Sequence, residues 1–178
     1  MNENTSEESL QQLALDEDGY VRARVASNPN TPEALLQQLA QDEKSYVRAG
    51  VASNPNTPEA LIQQLAQDEE RSVRAGVASN PNTPEALLQQ LAQDDDNVRE
   101  AVARNDNTPE ETLSELAQDE EEDVREAAAS NPNTPKRENK EKKRLLSYAE
   151  QGDIASWNKQ YARSSANLPG ANLSGVNL

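Results

Sequence analysis

Apolar residues return along this chain in two alternating patterns. Leu35, Leu36, Leu39 and Ala40 have the spacing of one helix face, and Val47, Val51 and Ala52 form a second, shorter set at i, i+4, i+5. The pattern predicts helix A over about Pro32 to Gln41 and helix B of about two turns around Val47 to Ala52, with the acidic turn Asp42-Glu43 between them. Helix B must stop at Asn54-Pro55, because the residue before proline is pushed out of the α region and Pro55 has no N–H to donate. The next helix starts at once. In Thr57-Pro58-Glu59 a hydroxyl stands at the N-cap place, a proline at the first helical position and a carboxylate in the first turn. Thr5 with Glu8, and Thr108 with Glu111, also have capping-box spacing.

This hairpin is repeated. Thr5, Thr31, Thr57, Thr83, Thr108 and Thr134 open successive units at intervals of 26, 26, 26, 25 and 26 residues, so five full units occupy 5–133. One hairpin has too few apolar side chains to order itself, and neighbouring units must supply the missing burial. The expected architecture is an all-α superhelical solenoid of about five helical hairpins.

Polar residues also recur at fixed places. Asp16, Asp42, Asp68, Asp94 and Asp119 stand at the end of helix A, and Arg22, Arg48, Arg74, Arg99 and Arg125 at the second position of helix B. A ladder of Asp–Arg pairs between turns would order the corner and fix the stacking register; the competing reading lines a groove with the arginines for an anionic ligand. Asn28, Asn54, Asn80, Asn105 and Asn131 are expected to bond to the turn backbone. Gly50 and Gly76 are expected to permit close helix contact.

The stretch VRAGVASNPNTPEALLQQLAQD, Val47–Asp68, is closely echoed in the other units and resembles the leucine-rich repeat variant family, whose repeat reads approximately VRxxVAxNPxTPxxxLxxLAxD. The likeness covers residues 5–134. It implies a right-handed superhelix of stacked short helices and an expectation of partner binding, but no reaction. The cysteine-rich iron–sulfur segment of some relatives has no counterpart here, because the chain has no cysteine.

Composition narrows the chemistry. Cysteine and histidine are both absent, which removes thiolate nucleophiles, Cys/His zinc sites and imidazole acid–base catalysis, so neither an enzyme nor a cofactor is expected. Residues 1–134 hold 9 Lys/Arg against 28 Asp/Glu, whereas residues 135–178 hold 8 against 4. Such an acidic array repels phosphate backbones, which makes nucleic acid an unpromising partner. Acid runs such as Asp94-Asp95-Asp96 lack the spaced ligands of a calcium loop and are read as solvated turns. The polar start of the chain does not resemble a signal peptide, and no run of about 18 apolar residues is available to span a membrane. A cytoplasmic location and no membrane partner are the expectation.

The charge reversal near Pro135 divides the chain into an array over 1–134, a basic helical segment over 135–165 and a tail over 166–178. Leu145, Leu146 and Ala149 would let the basic helix cap the array, while Ile154, Trp157 and Tyr161 would stripe a second helix. The tail reads as Ala166-Asn167-Leu168-Pro169-Gly170, Ala171-Asn172-Leu173-Ser174-Gly175 and Val176-Asn177-Leu178, and resembles pentapeptide repeats, though it is too short to close one coil of their β-solenoid.

Two functions remain. The first is a non-enzymatic protein-interaction scaffold with an unidentified protein partner, its acidity favouring a basic one. The alternative is acidic DNA mimicry, because some pentapeptide proteins inhibit topoisomerases in that way. Units two and three differ at only four of 26 positions, three of them in the inter-helix turn. Lys44, Tyr46, Glu70 and Arg71, in or beside those turns, therefore form the candidate partner surface.

Overall fold

The computed structural model describes residues 6–135. The chain divides into two units, Met1–Thr134 and Pro135–Leu178, and the described residues lie almost wholly in the first. The helices expected over 135–165 and the tail at 166–178 lie outside the described residues.

Ten helices follow one another in five hairpins: α1 (Glu7–Leu13) with α2 (Gly19–Ala26), α3 (Glu33–Leu39) with α4 (Ser45–Ala52), α5 (Glu59–Leu65) with α6 (Arg71–Ser79), α7 (Glu85–Leu91) with α8 (Asp96–Arg104), and α9 (Glu110–Leu116) with α10 (Glu122–Ser130). Among the described residues there is no strand. The architecture is a helical repeat solenoid. Its closest packing is between successive second helices, α2 on α4, α4 on α6, α6 on α8 and α8 on α10. Each first helix after α1 meets both the second helix of its own unit and the one before it, as α3 meets α4 and α2.

The core follows directly from the two apolar patterns. Leu36, Leu39 and Ala40 of one unit, with Val47, Val51 and Ala52, are buried, as are their counterparts in the third and fourth units; in the fifth, Leu113, Leu116, Val124 and Ala128 are buried, Ala117 is half-buried and Ala129 is exposed. All of these but Leu113 and Ala129 belong to, or pack against, one continuous cluster from Leu10 to Ala128. Close stacking of the second helices has a steric condition at Gly76, where a Cβ would stand 3.0 Å from the Ala52 Cβ and 2.9 Å from the Ala49 carbonyl oxygen. Glycine there lets two short helices approach backbone to backbone. The same position holds Arg24 in the first unit, where the side chain is exposed.

The first helices are shorter than the sequence suggests. α3 ends at Leu39, and the following turn tightens through bonds from Gln41 N to Gln38 O and from Asp42 N to Leu39 O, both 3.1 Å. Helix starts also differ. Pro32, Pro58, Pro84 and Pro109 occupy the cap position without a side-chain capping bond. The threonine before each proline turns the other way: Thr57 Oγ1 donates to Val51 O at 2.6 Å, Thr83 Oγ1 to Val77 O at 2.6 Å, and Thr108 Oγ1 to Val102 O at 2.6 Å. The hydroxyl thus ties the end of one helix to the corner and does not open the next, so Thr108 and Glu111 form no capping box. In the first unit Ser6 is the cap, accepting from Ser9 N at 3.3 Å, while Thr5 lies outside the described residues.

Four of the five corner asparagines hold two units together, while Asn28 accepts from Asn30 N within its own turn. Asn80 Oδ1 accepts from Asn82 N at 2.9 Å within its own turn, while its Nδ2 donates to Ala52 O and Asn54 O of the preceding unit, both at 2.7 Å. Asn54, Asn105 and Asn131 repeat both arrangements. The expected bond to the turn backbone is present, and the bridge to the previous unit is an addition that a single unit's sequence cannot show. A second rung runs outside it, from Asn82 Nδ2 to Pro55 O at 2.5 Å and from Asn133 Nδ2 to Asp106 O at 2.5 Å. Because the acceptor is a backbone carbonyl, Asp106 replaces proline at the fourth corner without loss of the rung.

Candidate protein-interaction surface

The turns between first and second helices lie side by side along one edge of the array, joined by charged contacts. Arg22 Nε donates to Asp42 Oδ2 at 2.6 Å and Nη2 to Asp42 Oδ1 at 3.0 Å. Arg48 meets Asp68, Arg74 meets Asp94 and Arg99 meets Asp119 in the same two-point way. In every case the arginine reaches the aspartate of the following unit, 20 positions on. Its remaining terminal nitrogen, Nη1, donates back into its own turn, from Arg48 to Asp42 O at 2.9 Å and from Arg74 to Asp68 O at 2.8 Å.

The planar guanidinium matches a carboxylate at two points and still has a nitrogen for the backbone, which lysine would not supply in this geometry. The aspartates are preset to receive it: Asp42 Oδ1 also accepts from Lys44 N at 2.9 Å, and Asp68 Oδ1 from Glu70 N at 3.0 Å. The arginine bond, followed by that backbone bond, outweighs partial burial and holds Asp42, Asp68 and Asp119 below the ordinary carboxylate range; Asp94 is lowered by Arg74 likewise. The donors of these four arginines are thus directed at protein acceptors.

The two ends of the series are different. Asp16 Oδ1 accepts from Asp18 N at 2.9 Å and Asp16 O accepts from Arg22 Nη1 at 2.8 Å, as in later turns, but no arginine meets the Asp16 carboxylate among the described residues. Arg125 Nη1 donates to Asp119 O at 2.6 Å and Glu120 O at 2.7 Å.

The residue missing from the 25-residue unit is lost from its turn. Asp94 Oδ1 accepts from Asp95 N at 2.7 Å, one residue earlier than its counterparts, and Asp95 adds its own carboxylate to Arg74 at 2.9 Å. An open cleft of about 700 Å³ crosses this turn and the next, lined by Asp94, Asp95, Asp96, Glu120 and Glu121 with Arg74 and Arg99. Among the described residues no acid group is arranged to hold a metal ion.

The variable positions lie on the same edge. Lys44 precedes α4, exposed, with its Nζ 3.2 Å from Glu43 Oε1. Glu70 and Arg71, also exposed, stand at the start of α6. Tyr46 is 38% exposed and stacks on Tyr20, with ring centroids 5.0 Å apart and planes 14° from parallel. Sequence reading singled out Tyr46 and passed over Tyr20, 71% exposed, and Leu15, 73% exposed. Comparing the units position by position would have found both. Tyr20 occupies the place of Tyr46, and Leu15 stands where later units have Gln41, Gln67, Gln93 and Gln118.

Among the described residues no helix is long and apolar enough to cross a membrane. Residues 166–178, which carry the pentapeptide resemblance, lie outside them. A comparison with curated proteins finds no match. A solved structure described as a leucine-rich repeat variant with a novel repetitive protein structural motif is 35% identical over 71% of this chain, with a TM-score of 0.53. The chain spans about half of that structure's length, 52%. Two overlapping segments, residues 21–79 and 72–132, match the Leucine Rich Repeat Variant domain. Together they cover more than half of the chain and take in the stacked corners and the charged rungs just described; the chain belongs to the leucine-rich repeat variant family.

Proposed function

We propose that the array is a non-enzymatic scaffold for protein interaction, and that its partner is a basic protein. One observation carries this reading: among the described residues the exposed large hydrophobics are Leu15, Tyr20 and Tyr46, all in the first two units, on or beside the acidic edge where the variable turn residues also lie. Exposed aromatic residues within a polar rim are the usual composition of an interaction hot spot. The excess of carboxylates over Lys and Arg favours a basic partner through long-range attraction. In this reading the Asp–Arg rungs keep the units in register and the residues around them make the contact. The acidic-mimic alternative draws on the acidity of the array and on the pentapeptide-like tail, which lies outside the described residues.

Site-specific photo-crosslinking in cells tests the proposal, with the crosslinker placed in turn at Tyr46 and Arg71 on the edge and at exposed Gln63 on α5. A discrete protein adduct from the edge positions, absent from Gln63, is expected. Equal adducts from all three positions, or turnover of a small molecule by the purified chain, overturn it.

A further inference from the structure

We infer that Asp16 and Tyr20 together receive an arginine side chain of the protein partner. The inference rests on the interaction-scaffold reading and names the chemistry of the contact.

The pattern for this contact is already inside the molecule. In the second turn, the Asp42 carboxylate accepts Arg22 at two points while its Oδ1 also accepts from Lys44 N. Tyr46 follows Asp42 by four residues, and its ring stacks on that of Tyr20. The first turn repeats every receiving part. Asp16 Oδ1 accepts from Asp18 N at 2.9 Å, which holds the carboxylate in the same orientation, and Tyr20 follows Asp16 by the same four residues. What differs is the donor, since no arginine precedes Asp16 among the described residues.

The aromatic part is preformed. Tyr20 stacks one face on Tyr46 and remains 71% exposed, so its other face is open to a planar cation. The fold itself does not demand the ring, because Ser72, Asn97 and Asp123 occupy the same place in the later units. Glu17 and Asp18, both exposed in the same turn, add charge that attracts a guanidinium. The geometry favours arginine over lysine, since an ammonium is a point charge that can neither pair with both carboxylate oxygens in plane nor lie flat on the ring.

The test titrates the full chain with hexa-arginine and with hexa-lysine in calorimetry near physiological salt. Three variants are compared: Asp16→Asn, which keeps an acceptor for Asp18 N; Tyr20→Ser, the residue the third unit carries as Ser72; and Glu120→Gln, which removes one acid elsewhere on the edge. The arginine peptide is expected to bind about fivefold or more tightly than the lysine peptide, and Asp16→Asn and Tyr20→Ser each to weaken it by about fivefold to tenfold and abolish the preference. Glu120→Gln should lower both peptides slightly and leave the preference intact. Equal affinity for the two peptides, or equal losses in Asp16→Asn and Glu120→Gln, overturns the inference. A partner cross-linked at Arg71 whose binding survives both Asp16→Asn and Tyr20→Ser retains the scaffold and sinks only this site.

Discussion

Arg48 on α4 holds Asp68 of the next unit by two parallel bonds, Nε to Oδ2 at 2.7 Å and Nη2 to Oδ1 at 2.9 Å, while Nη1 secures its own turn. The pair is largely shielded, with 13% and 11% of the two side chains exposed, so removing one partner leaves a charge poorly solvated. Asp68→Asn is expected to cost about 2 kcal/mol, since hydrogen bonds to charged groups contribute about that much. Arg48→Gln should cost more, because it also releases the Asp42 carbonyl. Denaturant unfolding of both singles and the double variant checks this; strictly additive losses would mean that the pair is not coupled.

Acid should weaken the rungs. Asp42, Asp68, Asp94 and Asp119 are held below the ordinary carboxylate range by arginine, so the unfolded chain takes up protons first as pH falls. Their contribution is complete above the unfolded value of about 3.9 and disappears as pH drops through the folded values. Relief of repulsion among the many exposed carboxylates acts in the opposite direction. The expected outcome is therefore a difference: between pH 5 and pH 3 the wild type loses more stability than Asp68→Asn, measured by thermal melting. Parallel pH profiles would contradict it.

Asn80 is fully buried, and its amide binds one turn N–H and two carbonyls of the preceding unit. Asn80→Ala should cost about 3 kcal/mol, because the backbone groups it leaves behind stay out of reach of water. Asn82→Ala, at an exposed position on the outer rung, should cost less than about 1 kcal/mol. Chemical denaturation of the two variants distinguishes inner from outer rung.

Thr57→Val isolates the hydroxyl that turns back to Val51 O. It should cost about 1 kcal/mol and raise amide exchange at the α4 end and corner, with the start of α5 unchanged. Faster exchange confined to the first turn of α5 would instead restore the capping role read from sequence.

The hairpins were legible because their cause is local: helical spacing of Leu and Val, and prolines that forbid continuation. The repeat period then implied stacking. What could not be read were directions. Thr57 can satisfy its hydroxyl forward at α5 or backward at Val51 O, and nothing in Thr-Pro-Glu says which. Arg48 has Asp42 six residues before it and Asp68 twenty after it, and only the packed array makes the distant carboxylate the side-chain partner. The Asn80 bridge to Ala52 O joins residues 28 apart. Tyr20 beside Tyr46 is likewise a product of stacking, since the two are 26 positions apart in sequence.

The fourth unit's short turn has an engineering meaning. From Arg74 to Asp94 and from Arg99 to Asp119 the interval is the same 20 residues, and the missing residue falls between Asp94 and Arg99, outside both measured spans. The chain behaves like rigid tiles of fixed length joined by adjustable seams. Foreign loops grafted into the seam after Asp42 or Asp68 should leave the tiling undisturbed, whereas one residue added between Thr57 and Asp68 would lengthen the Arg48-to-Asp68 tile itself and cost that rung.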